Sequence, residues 1–303
     1  MKKRRLGKSD LYVSELGLGC MSLSTNPKNA QAVIEAALEE GINYFDTADL
    51  YDFGENEQIV GQALKPIRDK IIIATKAGNR WNEKKDGWSW DPSKKHIKEA
   101  VKQSLTRLGT DYIDLYQLHG GTMEDPIDET IEAFEELKPE GFIRYYGISS
   151  IRPNVIREYV KKSNIVSVMM QYSLLDRRPE EEALPLLLEN SIGVVTRGPL
   201  AKGLLSNKMI DKTSQQGYLD YSFEELNHIL PLLREKLADS RTMTELALQY
   251  NLAHPAISSV IAGASKVEQI KENARAAQAN PLSEEELSII QSITKMNQYE
   301  QHR

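Results

Sequence analysis

The chain alternates short, nearly unbroken apolar runs with longer stretches whose apolar residues recur every three or four positions. Eight of the short runs, at residues 15–19, 43–46, 71–75, 113–118, 143–148, 165–170, 193–196 and 258–261, predict strands. A strand covered on both faces has no polar side, so a parallel sheet reads this way. Between them lie helical stripes. Ala30, Val33, Ile34, Ala37 and Leu38 fall on one helix face, and Gly41 stands where a C-cap is expected. Ile97, Ala100, Val101, Ser104, Leu105 and Leu108 repeat the period up to Gly109, with Asp91-Pro92 placed to open that helix. Ile127, Thr130, Ile131 and Phe134 form another stripe, as do Val155, Ile156, Tyr159 and Val160. Ahead of the first strand, residues 4–6 and 12–14 flank Gly7-Lys8-Ser9-Asp10, a plausible hairpin. Thr242-Met243-Thr244-Glu245 reads as a capping box for an additional helix ending near Asn251.

Eight strand–helix units in about 290 residues predict a (β/α)8 TIM barrel with an N-terminal β-hairpin and extra C-terminal helices. No linker divides residues 1–303, so one domain is expected. A doubly wound sheet is the alternative, but no Gly-x-Gly-x-x-Gly opens a helix after the first strand.

Composition enters mainly through what it excludes. With 38 basic and 44 acidic residues the net charge is −6, which argues against nucleic acid or an anionic membrane as a partner. One cysteine, Cys20, rules out an internal disulfide framework and a Cys-rich zinc site, and suits a reducing compartment. The basic start is not followed by an apolar run of signal length, and no stretch approaches the roughly 18 apolar residues that would span a bilayer. A cytoplasmic protein is expected; its oligomeric state is not legible.

Catalytic groups of a barrel sit at the C-terminal ends of its strands. Those ends carry Asp46, Lys76 and His119, with Tyr51 in the loop after Asp46. Alone, each has an ordinary reading as turn acid, solvated lysine, packed phenol or surface imidazole. Their occurrence together at successive strand ends favours chemistry. A phenol holds its proton at neutral pH, and a nearby ammonium makes it a better acid. A carboxylate can hold the ammonium, and an imidazole can orient a carbonyl and share in proton transfer. Such a set suits protonation of a carbonyl oxygen while hydride arrives from a nicotinamide or flavin, since no side chain delivers hydride. A metal-dependent hydrolase is the weaker reading. No His-x-His or paired-carboxylate set stands at the strand ends, and no metal is expected.

With these motifs in view, the sequence resembles the aldo-keto reductase family along nearly its whole length. The resemblance rests on Leu16-Gly17-Leu18-Gly19, Asn43-Tyr44-Phe45-Asp46-Thr47-Ala48-Asp49-Leu50-Tyr51 and Ile73-Ala74-Thr75-Lys76. It rests further on Arg107-Leu108-Gly109-Thr110-Asp111-Tyr112-Ile113-Asp114-Leu115-Tyr116-Gln117-Leu118-His119, on Gly147-Ile148-Ser149-Ser150 and on Gly263-Ala264-Ser265-Lys266. It implies NADP(H) as cofactor, a small carbonyl compound as substrate, and a tetrad of Asp46, Tyr51, Lys76 and His119 with Tyr51 as general acid. By the same resemblance Ser149, Ser150 and Gln171 would bind the nicotinamide carboxamide. Gly198, Pro199, Leu200 and Lys208 would line the pyrophosphate. Gly263, Ser265, Lys266 and Gln269 would hold the 2′-phosphate, and Glu272 and Asn273 the adenine amine.

Three positions depart from the family pattern. Arg197 stands where many relatives carry an aromatic residue against the nicotinamide, Ser150 replaces an Asn, and Gly120-Gly121 removes side chains beside His119. Glu268 is an acid beside the expected phosphate clamp, and a helix would turn its side chain away from Ser265. Trp81, Trp88 and Trp90 all fall in one loop and are candidates for an apolar substrate wall. An NADP(H)-dependent reductase of aldehydes or ketones is the expected function. The alternative is a regulatory module that binds NADP(H) and turns over little; the intact His119 argues for the enzyme.

Overall fold

The computed structural model describes residues 1–206, 215–237 and 241–303. Eight parallel strands close into a barrel in the spatial order β10-β11-β12-β3-β4-β5-β8-β9. The strands are β3 (Leu16–Gly19), β4 (Tyr44–Asp46), β5 (Ile72–Ala77), β8 (Ile113–Leu118), β9 (Ile143–Ser149), β10 (Ser167–Gln171), β11 (Gly193–Arg197) and β12 (Ile257–Gly263). Helices α1 (Pro27–Glu39), α2 (Glu55–Leu64), α3 (Lys94–Leu108), α4 (Ile127–Leu137), α5 (Pro153–Lys162) and α6 (Ala183–Glu189) each follow a strand. Two helices, α7 (Phe223–Leu237) and α8 (Met243–Ala253), separate β11 from β12, and α9 (Val267–Ala277) and α10 (Glu284–Ile293) follow it.

Strand alternation explains why the apolar runs are continuous. Phe45, Ile73, Tyr116 and Leu118 belong to the large core between strands and helices. Tyr44, Ala74, Leu115, Met169, Val195 and Ile261 belong to a second core inside the barrel. Both faces exclude water, so neither needs polar residues.

The hairpin of β1 (Lys3–Arg5) and β2 (Tyr12–Ser14) closes the floor of the barrel. Its Leu6, Leu11 and Val13 complete the inner core. The turn lies so close beneath the strands that a Cβ on Gly7, at φ +54°, would sit 2.1 Å from the Val166 carbonyl oxygen. Arg4 ties the hairpin to the far end of the chain, donating to Glu15 Oε1, Ile257 O and Leu252 O at 2.8, 3.0 and 3.0 Å. Ser259 Oγ donates to Ser14 O at 2.8 Å.

Two details differ from the sequence expectation. Helix α3 starts at Lys94 with Ser93 as N-cap, its Oγ accepting from His96 N at 3.3 Å. Asp91 instead donates its backbone N–H to Gly78 O and accepts from Ser93 N, forming a turn ahead of the cap. The segment after β5 also holds a second hairpin, β6 (Asn79–Trp81) and β7 (Trp88–Trp90), with Trp81 opposite Trp88. The Thr242 capping box is present, and its helix runs to Ala253. Among the described residues no helix is long and apolar enough to cross a membrane.

Candidate active site

The C-terminal end of the barrel opens into a cavity of about 1450 Å³. At its base the inward-pointing phase of the strands delivers Asp46 from β4, Lys76 from β5 and, one residue beyond β8, His119. Lys76 is fully buried, and its ammonium has three N–H donors to satisfy. It donates to Asp46 Oδ1 at 2.6 Å, to Thr47 O at 2.7 Å and to Tyr51 Oη at 3.3 Å. All three donors are therefore spent, and the ammonium cannot swing away. Because Lys76 donates to the phenol oxygen, the phenol's own hydrogen is left to point elsewhere. Tyr51 stands edge-on to His119, ring centroids 5.8 Å apart.

Electrostatics fix the protonation of the set. Burial alone would push the Lys76 ammonium down, but the Asp46 carboxylate and Tyr51 outweigh it and its pKa is raised. We place the shared proton on lysine, leaving Asp46 as its counter-ion. His119 is pushed down to about 3, first by burial and then by the positive charges of Lys76 and Arg197. It is a neutral imidazole at physiological pH, able to donate one hydrogen bond but not to act as a cationic acid. The expectation that it shares in proton transfer is narrowed to orientation on that ground.

Ser149 and Ser150 stand on the wall beside His119, and Arg197, Gly198, Pro199 and Leu200 line the adjoining side. Gly263, Lys266, Gln269, Glu272 and Asn273 line the far end, around the start of α9. Gln171 is off the wall. Its amide donates to Asp176 Oδ2 at 2.8 Å and its carbonyl accepts from Arg197 at 3.0 Å. Ser265 is also off the wall, although its N–H and that of Lys266 both donate to Gln269 Oε1, at 2.8 and 3.1 Å. Thr244 Oγ1 donates to Glu272 Oε1 at 2.9 Å. Lys208 lies outside the described residues. Glu268, in the first turn of α9, also lines the cavity, whose wall does not include Ser265.

Two of the three tryptophans, Trp88 (57% exposed) and Trp90, line the cavity. Trp90 Nε1 donates to Asp125 Oδ1 at 2.9 Å, and its ring lies against Gly120, filling space that a side chain there would claim. Trp81 is off the wall, edge-on to Phe53 and beneath the Arg107 guanidinium.

Several wall residues escape sequence reasoning. Met21, Ser22, Arg152, Lys202 and Thr244 line the cavity but sit in loops or at helix starts without a periodic signal. Arg152 follows Ser149-Ser150 by only two positions, and that proximity is the one clue the sequence holds. Among the described residues no group of three or more His, Cys, Asp or Glu could hold a metal ion.

Comparison with known proteins agrees with this geometry. The model of the aldo/keto reductase family matches residues 15–295. The chain is 64% identical, over the full length of both proteins, to "Uncharacterized oxidoreductase YqkF" of Bacillus subtilis. It is 33% identical to the "NADH-specific methylglyoxal reductase" of Escherichia coli, over 97% of this chain and 99% of that one. The solved holo form of "aldo-keto reductase AKR11C1" from Bacillus halodurans superposes with a TM-score of 0.95 at 62% identity, covering 100% of this chain and 99% of the other. A match of that extent leaves no part of the barrel unaccounted for, and the chain belongs to the aldo/keto reductase family, as an oxidoreductase of carbonyl compounds.

Proposed function

We propose that the protein reduces aldehydes or ketones to alcohols with NADPH, and that Tyr51 is the general acid. The observation that carries this reading is the pinned ammonium. Lys76 is locked by Asp46 and Thr47 and donates to Tyr51 Oη at 3.3 Å, at the base of an open cavity. A carbonyl oxygen seated between Tyr51 and the neutral His119 would take a hydrogen bond from each. As negative charge grows on that oxygen, Tyr51 passes its proton across, and the adjacent ammonium stabilises the phenolate left behind. When bound, such a cofactor would supply the hydride that the carbonyl carbon takes up, since no side chain can.

The residues present fit such a cofactor. The cavity runs from Ser149 and Ser150, which would hold the carboxamide, past Gly198, Pro199 and Leu200 to the start of α9. Gln171 would join them by releasing one of its present partners, and Lys208 would add charge at the pyrophosphate. At α9 the Ser265 and Lys266 N–H groups have, among the described residues, only the neutral amide of Gln269 as acceptor. A phosphate dianion can replace that amide with charge-assisted bonds, and Lys266 adds its charge. Glu272 and Asn273 lie beyond, suited to the adenine amine. Glu268 opposes the phosphate, so the preference over NADH rests on Lys266 and the backbone donors. The free, buried Cys20 supports a reducing compartment, read here as the cytoplasm.

The test is NADPH oxidation against a panel of aldehydes and ketones, followed by Tyr51→Phe. The variant should lose about 10²–10⁴ in turnover while binding cofactor nearly as well. Near-normal turnover in the variant removes Tyr51 from the mechanism.

A further inference from the structure

Arginines withdrawn from solvent are ordinarily paired in this fold. Arg68 with Asp114, Arg107 with Glu57, Arg177 with Glu180 and Arg178 with Asp176 are ion pairs at 2.6–2.9 Å. Arg152 breaks that habit. It is half-buried at the start of α5 and lines the cavity on the side of Gly121, Thr122 and Trp90. Its Nη1 donates to Gly121 O at 2.6 Å. Among the described residues that is the only hydrogen bond or ion pair of its side chain. The nearby acid, Asp125, is not its partner: Trp90 Nε1, Thr122 N and Thr122 Oγ1 already occupy its carboxylate at 2.9, 2.7 and 2.9 Å.

The single bond to Gly121 fixes one nitrogen and leaves the rest of the guanidinium fork unsatisfied, in a place where water is partly excluded. A guanidinium so placed recovers its lost hydration best from an oxyanion presented to its open edge. Gly121 lies two residues beyond His119, a chain span of up to about 7 Å. Gly120 and Gly121 interpose no side chains between the imidazole and the arginine. The other wall charges outside the tetrad lie elsewhere: Arg197 at the end of β11, Lys202 in the loop beyond it, and Lys266, Glu268 and Glu272 around the start of α9.

We propose that Arg152 is an anion subsite for substrate, selecting short aldehydes or ketones that carry a carboxylate or phosphate a few atoms from the carbonyl. This rests on the reading of Tyr51 and His119 as the place where the carbonyl sits.

The experiment compares kcat/KM for two matched pairs, succinic semialdehyde against butanal and glyceraldehyde 3-phosphate against glyceraldehyde. In the parent enzyme the anionic member of at least one pair should be favoured about tenfold or more. The pair that shows it identifies carboxylate or phosphate as the anion. Arg152→Met should erase the preference, lowering the anionic substrate at least tenfold more than its neutral partner, and Arg152→Lys should restore part of it. No preference in either pair, or an equal loss within each pair in Arg152→Met, overturns the proposal. Failure of every aldehyde to be reduced would instead count against the role of Tyr51. For that outcome a second readout stands apart from turnover. Butyrate or inorganic phosphate should quench tryptophan fluorescence of the NADP⁺ complex in the parent and not in Arg152→Met. Equal quenching in both proteins, or none in the parent, overturns the subsite.

Discussion

A single imidazole shows how far burial can move one residue's chemistry. His119 has its pKa lowered to about 3, by burial first and by Lys76 and Arg197 after it. In the unfolded chain it titrates near 6.5. Between those values the unfolded chain binds a proton that the folded one refuses, so stability is full above about pH 6.5 and falls as pH drops toward 3. His119→Gln should therefore flatten the decline of Tm between pH 6.5 and 4 relative to the parent, measured by calorimetry. An unchanged slope would show that His119 titrates normally in the folded protein. The candidate chemical residues themselves are legible in the sequence because two signals coincide: a reactive side chain and the end of an apolar run. Asp46, Lys76 and His119 satisfy both. Arg152 and Lys202 satisfy only the first, and a loop gives no phase from which to read direction. Trp81 fails for a different reason. Paired directly opposite each other, Trp81 and Trp88 share one face of the hairpin, so strand phase does not tell them apart; tertiary contact does, with Trp81 lying against Arg107 and Phe53.

At the scale of elements the same reasoning separates what periodicity reveals from what it hides. The strands and the main helical stripes are visible because burial on both sides of the sheet demands unbroken apolar runs. The start of α3 is not, because Asp91 and Ser93 are both good caps and only tertiary bonding chooses between them. Contacts between helices are hidden as well. Gly61 on α2 reads as a weak point in a helix, yet a Cβ there would lie 2.2 Å from the carbonyl oxygen of Leu108 on α3. That neighbour is backbone and cannot rotate away, so the glycine sets how closely the two helices pack. Gly61→Ala should cost about 1–3 kcal/mol despite the higher helix propensity of alanine, read from the urea midpoint. A stabilised variant would mean that α2 and α3 can separate freely. The buried Glu57, which accepts from Thr75 and Arg107 at 2.6 Å each, lies in the same seam and links it to the back of the active site.

For the molecule as a whole, ligand binding and chain connectivity set the behaviour. A ligand that binds only the folded state at 100 times its Kd adds about 2.7 kcal/mol, worth roughly 5 °C in Tm for a chain of this size. If NADPH binds tenfold more tightly than NADH, the same concentration of NADH should give about half that shift. Lys266→Ala should bring the two shifts together, and so should high salt. Equal shifts in the parent would remove the 2′-phosphate role from Lys266. The barrel is legible at this scale from the count of strand–helix units, while the floor is not, since no local pattern announces that Leu6, Leu11 and Val13 belong inside it. That floor carries a consequence for biosynthesis. The hairpin leaves the ribosome some 240 residues ahead of β12, the strand that supplies Ile261 to its core and the Ile257 carbonyl to Arg4. At cellular elongation rates the delay is roughly 12–50 s. During it the apolar underside of the plug gains its seat strand by strand, from Tyr44, Ala74 and Leu115 onward, and the floor is complete only once Ile261 has been made.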